Sequence, residues 1–151
     1  MSMMFNRSFT NFQTVAFFRM RHRLLSESPT LVLDYDAVDE LLHARWGPEQ
    51  TLASTQAGYE QILAVLPAQH CHRLLDDRRA SRLMWDELAT WMATNWYPRA
   101  HAAGLLHHAV VFAEDFFGHL ATALVLARVD GDGQLVGFSS EAAARQLLLA
   151  S

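Results

Sequence analysis

Residues 73–104 combine a short apolar strand, an Asp-Asp-Arg-Arg turn and a long helix rich in aromatic residues, in the order RLLDDRRASRLMWDELATWMATNWYPRAHAAG. A strand that leads directly into a helix is typical of α/β proteins, whose functional groups gather where strands hand over to helices. The turn formed by Asp76, Asp77, Arg78 and Arg79 is therefore the first place to look for a polar site.

The remaining sequence alternates between strand-like and helix-like segments. Alternating apolar and polar residues predict strands at 31–35, 40–46, 73–76, 107–112 and 134–138, and helical spacing predicts helices at 51–66, 81–97, 116–129 and 140–150. Pro67 and Pro98 are expected to end the first two helices. The order β-β-α-β-α-β-α-β-α predicts an α/β fold: a mixed five-stranded sheet with an N-terminal antiparallel hairpin, followed by βαβ crossovers and four helices.

Residues 1–29 differ in character from residues 30–151, which we expect to form a single domain. Before the first acidic residue, Glu27, this segment holds several arginines and a helically spaced apolar set, namely Arg7, Arg19, Arg21, Arg23, Phe5, Phe9, Phe12 and Ala16. The pattern predicts a basic, Phe-rich N-terminal extension. Two interpretations stay open: an extension packed on the domain, or contact of residues 1–23 with a membrane surface or a partner.

Composition excludes several functional classes. All twelve basic residues of the 151 are arginines and the net charge is −4, so the broad basic surface of a nucleic-acid-binding protein is missing. Cys71 is the single cysteine, which rules out an intrachain disulfide and predicts a cytoplasmic protein. No uninterrupted apolar run approaches about 18 residues, so no transmembrane helix is expected.

Four short strings carry a resemblance to a known family. They are Arg45-Trp46-Gly47, Leu74-Leu75-Asp76-Asp77-Arg78, Trp96-Tyr97-Pro98-Arg99 followed by Gly104, and Phe138-Ser139-Ser140-Glu141-Ala142-Ala143. In this order, over residues 30–150, the chain resembles the SpoIIAA-like branch of the STAS/SEC14 superfold of small bacterial proteins.

The resemblance implies two kinds of function. STAS domains of the anti-sigma-factor antagonist type bind a kinase partner and are switched by phosphorylation of a serine in an Asp-Ser-x-Gly motif. This chain has Asp76-Asp77-Arg78-Arg79 there, and its nearest hydroxyl, Ser81, is a weak candidate phosphosite that is more typical of a helix cap. SEC14-like proteins instead imply an apolar small molecule or acyl chain held between helices and sheet.

The helix at 81–97 has more large apolar residues than one buried face requires. Met84, Leu88, Trp91 and Asn95 form one stripe, and Trp85, Ala89 and Trp96 form a second. Tryptophan is enriched at interfaces. We therefore predict self-association as a homodimer, with an interaction or ligand surface that includes Trp85, Trp96, Tyr97, Phe116 and Phe117. Packing against the sheet edge or the N-terminal extension is the alternative.

Motifs for catalysis and metal binding are incomplete. On a strand, His70 and His72 share a face while Cys71 points away, and two ligands do not make a metal site. The segment from Asp130 to Glu141 imitates a calcium loop but has Leu135 where glycine is required, which predicts a turn. Asp76 and Asp77 beside Arg78 could act as a base, although a salt-bridged turn is the usual outcome. We expect no metal, no cofactor and a non-enzymatic interaction or regulatory domain.

Overall fold

The computed structural model describes residues 21–81, 86–111, 135–138 and 140–151. Six strands in these ranges form one sheet whose spatial order follows the chain: β1 (His22–Glu27), β2 (Leu31–Asp36), β3 (Leu41–Trp46), β4 (Arg73–Asp77), β5 (His107–Val111) and β6 (Leu135–Phe138). The pairs β1/β2 and β2/β3 are antiparallel, whereas the pairs from β3 to β6 are parallel. The predicted mixed α/β fold is confirmed.

Strand β1 adds one strand to the five that were expected. It lies inside segment 1–29, so part of the predicted extension belongs to the sheet. As an edge strand it is mostly exposed and lacks the clear apolar alternation of a buried strand. Its pairing with β2 shifts register between Leu24 and Ser26, and the Arg23 guanidinium lies 5.4 Å from the centre of the Tyr35 ring. The amphipathic pattern of residues 1–20 lies outside the described residues.

Two helices begin at a side-chain cap, the helix at Leu52–Ala68 after Thr51 and the helix at Glu141–Leu149 after Ser140. Helix α1 (Leu52–Ala68) starts after Thr51, whose hydroxyl accepts the Ser54 N–H while the Ser54 hydroxyl accepts the Thr51 N–H. It includes Pro67 in its last turn and ends one residue later. The predicted helix at 116–129 lies outside the described residues. Within the described ranges, no helix has the length and apolar character needed to cross a membrane.

A long helical run passes through Pro98. It consists of α2 (Asp86–Trp91), a π-helical segment (Met92–Trp96) and α3 (Tyr97–Ala102). The expectation that this helix ends before Pro98 is wrong. In a regular α-helix the proline ring collides with a carbonyl of the preceding turn. Here the Tyr97 N–H donates to the more distant Met92 carbonyl, and this wider turn makes room for the proline.

Different helices pack on the two sides of the sheet. One side, which we call the aromatic face, packs against α1 and the helical run, and its core includes Leu42, Trp46, Tyr59, Leu74, Met92 and Trp96. On the opposite side, the charged face, helix α4 (Glu141–Leu149) covers β4 to β6 through a smaller apolar cluster of Leu41, Leu75, Ala109, Val111, Ala144 and Leu148. Successive residues of β4 alternate between these environments.

Candidate functional site

Asp76 is the centre of a polar cluster on the aromatic face. Its side chain is fully buried and accepts three hydrogen bonds, from Trp46 Nε1 at 2.6 Å, from the Tyr59 hydroxyl at 2.7 Å and from His108 Nε2 at 2.8 Å. The parallel register of β4 and β5 places Leu74 beside His108, which brings the imidazole to the carboxylate. His108 Nδ1 is buried and has no hydrogen-bond partner among the described residues.

The donors around Asp76 favour its ionised form. Burial alone raises the pKa of this carboxyl, but the hydrogen bond and charge of His108, the charge of Arg78 and the Tyr59 hydroxyl together hold it below its usual value. Burial also raises the pKa of Tyr59 far above its usual value, so this hydroxyl stays protonated and donates. The cluster therefore contains an ionised carboxylate whose oxygens already accept hydrogen bonds from neighbouring side chains of the core.

Arg78 closes the cluster toward the end of β4. Its guanidinium carbon lies 5.7 Å from the Trp46 ring centre and 5.8 Å from the Tyr59 ring centre, and Nη1 lies 3.4 Å from the Tyr59 hydroxyl. Only 6% of Arg78 is exposed. A guanidinium packed against two neighbouring aromatic rings is stabilised by cation–π attraction and is not presented to solvent.

Ser81, the candidate phosphosite, lies in the turn that follows. Its N–H donates to the Arg78 carbonyl, and its hydroxyl is buried with no hydrogen-bond partner among the described residues. With 4% of the residue exposed, a kinase would reach this hydroxyl only if the turn moved. The static fold gives no support to Ser81 as a phosphosite.

Two residues of the predicted tryptophan surface are described, and both are buried. Trp96 is 0% exposed and Tyr97 is 7% exposed. The Trp96 indole N–H donates to the Tyr59 carbonyl at 2.7 Å, and Tyr97 stacks on His108 with 6.0 Å between ring centres. Residues 96 and 97 are thus core residues, because the π turn brings Trp96 into the same buried cluster as Leu88 and Met92. Trp85, Phe116 and Phe117 lie outside the described residues.

Aromatic side chains fill the described part of the space between helices and sheet. Trp46, Tyr59 and Trp96 are in direct contact, with ring centres 4.7 Å and 4.9 Å apart along this chain of rings. Tyr97 and His108 extend the stack beyond Trp96. This is close-packed core, and it does not outline a chamber for an apolar ligand.

Asp77, the next residue along β4, points to the charged face. Arg79 Nε and Nη2 donate to its two oxygens at 2.9 Å and 2.6 Å, and the same Nη2 lies 3.3 Å from Glu141 at the start of α4. The four residues of the predicted polar turn therefore do not form one surface. Asp76 and Arg78 are buried on the aromatic face, whereas the Asp77 and Arg79 pair belongs to the charged face.

A second carboxylate network lies between α4 and the β2–β3 turn. Asp36 and Asp39 both accept from Arg21 and Arg145, at distances from 2.7 Å to 3.2 Å. Burial raises the pKa of Asp36, but the backbone N–H of Asp39 and the two guanidiniums lower it further, so that the net pKa lies below its usual value. This network joins the edge of the sheet to the closing helix.

His43 is a functional candidate that the sequence analysis did not identify. It lies in the middle of β3 on the charged face, with its side chain 6% exposed. Its Nε2 has no hydrogen-bond partner among the described residues and lies 3.8 Å from Glu141 Oε1. Burial lowers its pKa, against the opposite influence of Asp34 and Glu141. No local motif signals this residue, because its neighbours in space come from β4 and α4.

Two depressions open at the surface of the described residues. One, of about 260 Å³, lies on the part of the charged face that no described helix covers and is lined by His22, Leu24, Asp34 and Arg45. The other, of about 410 Å³, lies where β4 and β5 begin and includes His70, His72, Arg73 and His107 in its lining. His70 and His72 both line it, but they precede β4 and do not lie on a strand as the sequence analysis assumed, and His72 Nδ1 is paired with the Gly104 carbonyl at 2.7 Å.

Comparisons of the chain with protein-family models, with curated proteins and with solved structures found no match.

Proposed function

We propose that this chain is a non-enzymatic interaction or regulatory domain of the STAS/SpoIIAA-like type that associates with a second copy of itself. The observation that carries the proposal is the state of Asp76. Its carboxylate is fully buried and accepts bonds from three side chains, so it is committed to holding helices and sheet together. Asp76 is the residue that the sequence analysis singled out as a possible base. In this arrangement the described residues around it leave its carboxylate no contact with a substrate.

The contact surface of this proposal is the part of the charged face beside β1, which α4 does not reach. Helix α4 covers β4 to β6, and the neighbouring depression beside β1 exposes Leu24 at 56% next to the Arg45 and Asp34 pair. A twofold interface needs a self-complementary patch. An apolar residue flanked by one cation and one anion meets that requirement, because each charge can face its opposite on the partner copy.

Native mass spectrometry of the full chain, purified without added ligand, tests this proposal. We expect a dimer, and we expect Leu24→Asp to be monomeric because it places a charge in the apolar centre of the contact. Leu149→Asp is the matched control, since Leu149 is 45% exposed but lies on α4, and it should leave the dimer intact.

Other outcomes would replace the proposal. A wild-type monomer would refute self-association. A bound mass of a few hundred daltons that is lost on denaturation would instead favour SEC14-like binding of an apolar small molecule or acyl chain.

We also propose a cytoplasmic location. Cys71 is 3% exposed, and burial raises its pKa, so it is an unreactive thiol of the kind that persists in a reducing compartment. A protein partner in the same compartment can be sought by pull-down with wild type and with Leu24→Asp. Loss of a captured protein in the variant would place the partner on the same face as the proposed dimer contact.

A further inference from the structure

We propose that His43, Asp77 and Glu141 bind a divalent transition-metal ion such as Zn²⁺ on the charged face. One ligand atom from each residue lies within 4.8 Å of the other two. The residues come from the middle of β3, the end of β4 and the first turn of α4, so the folded sheet and its closing helix bring them together. This site is separate from the self-association proposed above and does not depend on it.

The spacing of these atoms is close to that of a metal site. Zinc binds nitrogen and oxygen at about 2.0 to 2.2 Å, so two ligands of one ion lie roughly 3 to 4 Å apart. His43 Nε2 and Glu141 Oε1 are 3.8 Å apart. That distance is too long for a hydrogen bond and suits two ligands with an ion between them.

The state of His43 is an independent indication of a ligand. Its Nε2 is buried, is directed toward Glu141 and has no hydrogen-bond partner among the described residues. A buried polar atom without a partner is costly, and such atoms are rare in native proteins. A bound metal ion would satisfy this nitrogen.

The charges around the site also favour a cation. Among the described residues, the ion pairs of the charged face join five carboxylates to four guanidiniums: Asp34, Asp36, Asp39, Asp77 and Glu141 against Arg21, Arg45, Arg79 and Arg145. The described carboxylates therefore outnumber the described guanidiniums by one. A divalent ion placed between His43, Asp77 and Glu141 would meet this surplus negative charge beside His43 Nε2.

Arg79 competes with the proposed ion. Its Nη2 bridges Asp77 Oδ2 at 2.6 Å and Glu141 Oε2 at 3.3 Å, while Glu141 Oε1 lies 3.8 Å from His43 Nε2 and 3.5 Å from Arg145 Nη2. The guanidinium therefore holds both carboxylates in position but repels a second positive charge. We expect it to weaken metal binding in the wild-type chain.

The donor set selects the class of metal. One imidazole and two carboxylates suit Zn²⁺ and its first-row neighbours, whereas Ca²⁺ and Mg²⁺ prefer sites made of oxygen alone. Three protein ligands leave a fourth position that water can fill.

The test is titration of tag-free full-length protein, stripped with a chelator that is then removed, with Co²⁺ followed by visible absorption and with Zn²⁺ in competition with a chromophoric chelator. We expect one ion per chain, tetrahedral Co²⁺ bands, and no comparable binding of Mg²⁺. His43→Gln should weaken binding at least tenfold. Arg79→Gln should strengthen it severalfold, because the competing charge is gone.

His72→Gln is the matched control, because it removes a histidine from the other end of the sheet, and binding should stay unchanged. Glu141→Gln gives a second ligand variant with little risk to folding, since this side chain is 35% exposed. Absence of Co²⁺ and Zn²⁺ binding by the wild type would refute the site. Undiminished binding by His43→Gln and Glu141→Gln, or weaker binding by Arg79→Gln, would refute it equally.

Discussion

Asp76 and Asp77 are adjacent in sequence but lie in opposite environments. Asp76 is enclosed by aromatic and imidazole donors between the sheet and the helices, where no water is needed to satisfy it. Asp77 faces α4 and is paired with Arg79, whose side chain is 41% exposed. One carboxylate is part of the core, and the other belongs to a partly solvated ion-pair network.

The comparison shows that the face of the sheet decides the role of each charge. On the aromatic face a charge is retained because every donor around it is fixed by packing, so loss of the charge disturbs several partners at once. On the charged face the guanidiniums are partly exposed, so solvent screens each ion pair and the loss of one charge should disturb the fold less. The following predictions test this contrast.

The largest effect is expected for Asp76→Asn. The substitution removes a buried charge that the protein's donors are arranged to accept, and turns an amide N–H₂ toward at least one of them. We expect a loss of about 3 to 5 kcal/mol in the free energy of unfolding, measured by urea denaturation. Asp77→Asn is the matched variant and should cost only about 1 kcal/mol. Equal losses at the two positions would contradict the contrast between the faces.

Trp96→Phe should give the next largest effect. Phenylalanine keeps an aromatic ring but removes the N–H that donates to the Tyr59 carbonyl at 2.7 Å, and leaves a gap in a fully buried position. We expect a loss of about 1 to 3 kcal/mol by the same measurement. Trp91→Phe, at a partly buried position of the same helical run, should cost less. If the order is reversed, Trp96 is not a core residue in solution.

Lowering the pH should remove the stabilisation that Asp36 provides through its ion pairs. We expect this loss in the free energy of unfolding to be smaller than that of Trp96→Phe. Because the folded state lowers the pKa of Asp36, its stabilising contribution is complete above the usual aspartate pKa of about 4 and is lost as the pH falls through the lower folded value. Unfolding free energies measured from pH 7 to pH 3 should therefore fall less steeply for Asp36→Asn than for wild type. Identical slopes would show that Arg21 and Arg145 do not stabilise the ionised carboxyl.

The smallest effect is expected at the exposed Glu60–Arg99 pair. Arg99 donates to Glu60 from α3 to α1, but both side chains are more than two-fifths exposed. Solvent and salt screen such a pair. Glu60→Gln should leave the urea midpoint unchanged within error. A clear loss of stability would show that an exposed ion pair stabilises this fold more than screening by solvent and salt should allow.

The strands and the first helix could be predicted because their signals are local. Alternation of apolar residues marks β2 and β3, and Pro67 marks the end of α1 to within two residues. Edge strand β1 was missed because none of its residues is fully buried and its apolar residues, Leu24 and Leu25, are adjacent instead of alternating. The end of β4 was set one residue early, since Asp77 resembles a turn residue although it still pairs with Arg45 as a strand residue.

The candidate sites were less accessible to sequence reasoning because they depend on long-range register. Asp76 was identified at a strand end, but its partner His108 is defined by the pairing of β4 with β5. His43 meets Asp77 and Glu141 only through the packing of α4 on the sheet. Trp96 was assigned to a surface because regular helical geometry was applied across a segment that contains a π turn.

The π turn limits which deletions this helix can accept during evolution. A π turn is equivalent to an α-helix with one residue inserted, so deleting any one residue of Met92–Trp96 would restore an unbroken α-helix. Because the wider turn absorbs the extra residue, such a deletion would leave the turns before and after it in nearly the same orientation. A deletion between Leu88 and Trp96 would place them seven positions apart, still on one face, but the Pro98 ring would then meet a carbonyl of the preceding turn. Pro98 therefore makes the extra residue necessary, and a chain that loses the π turn must also replace this proline.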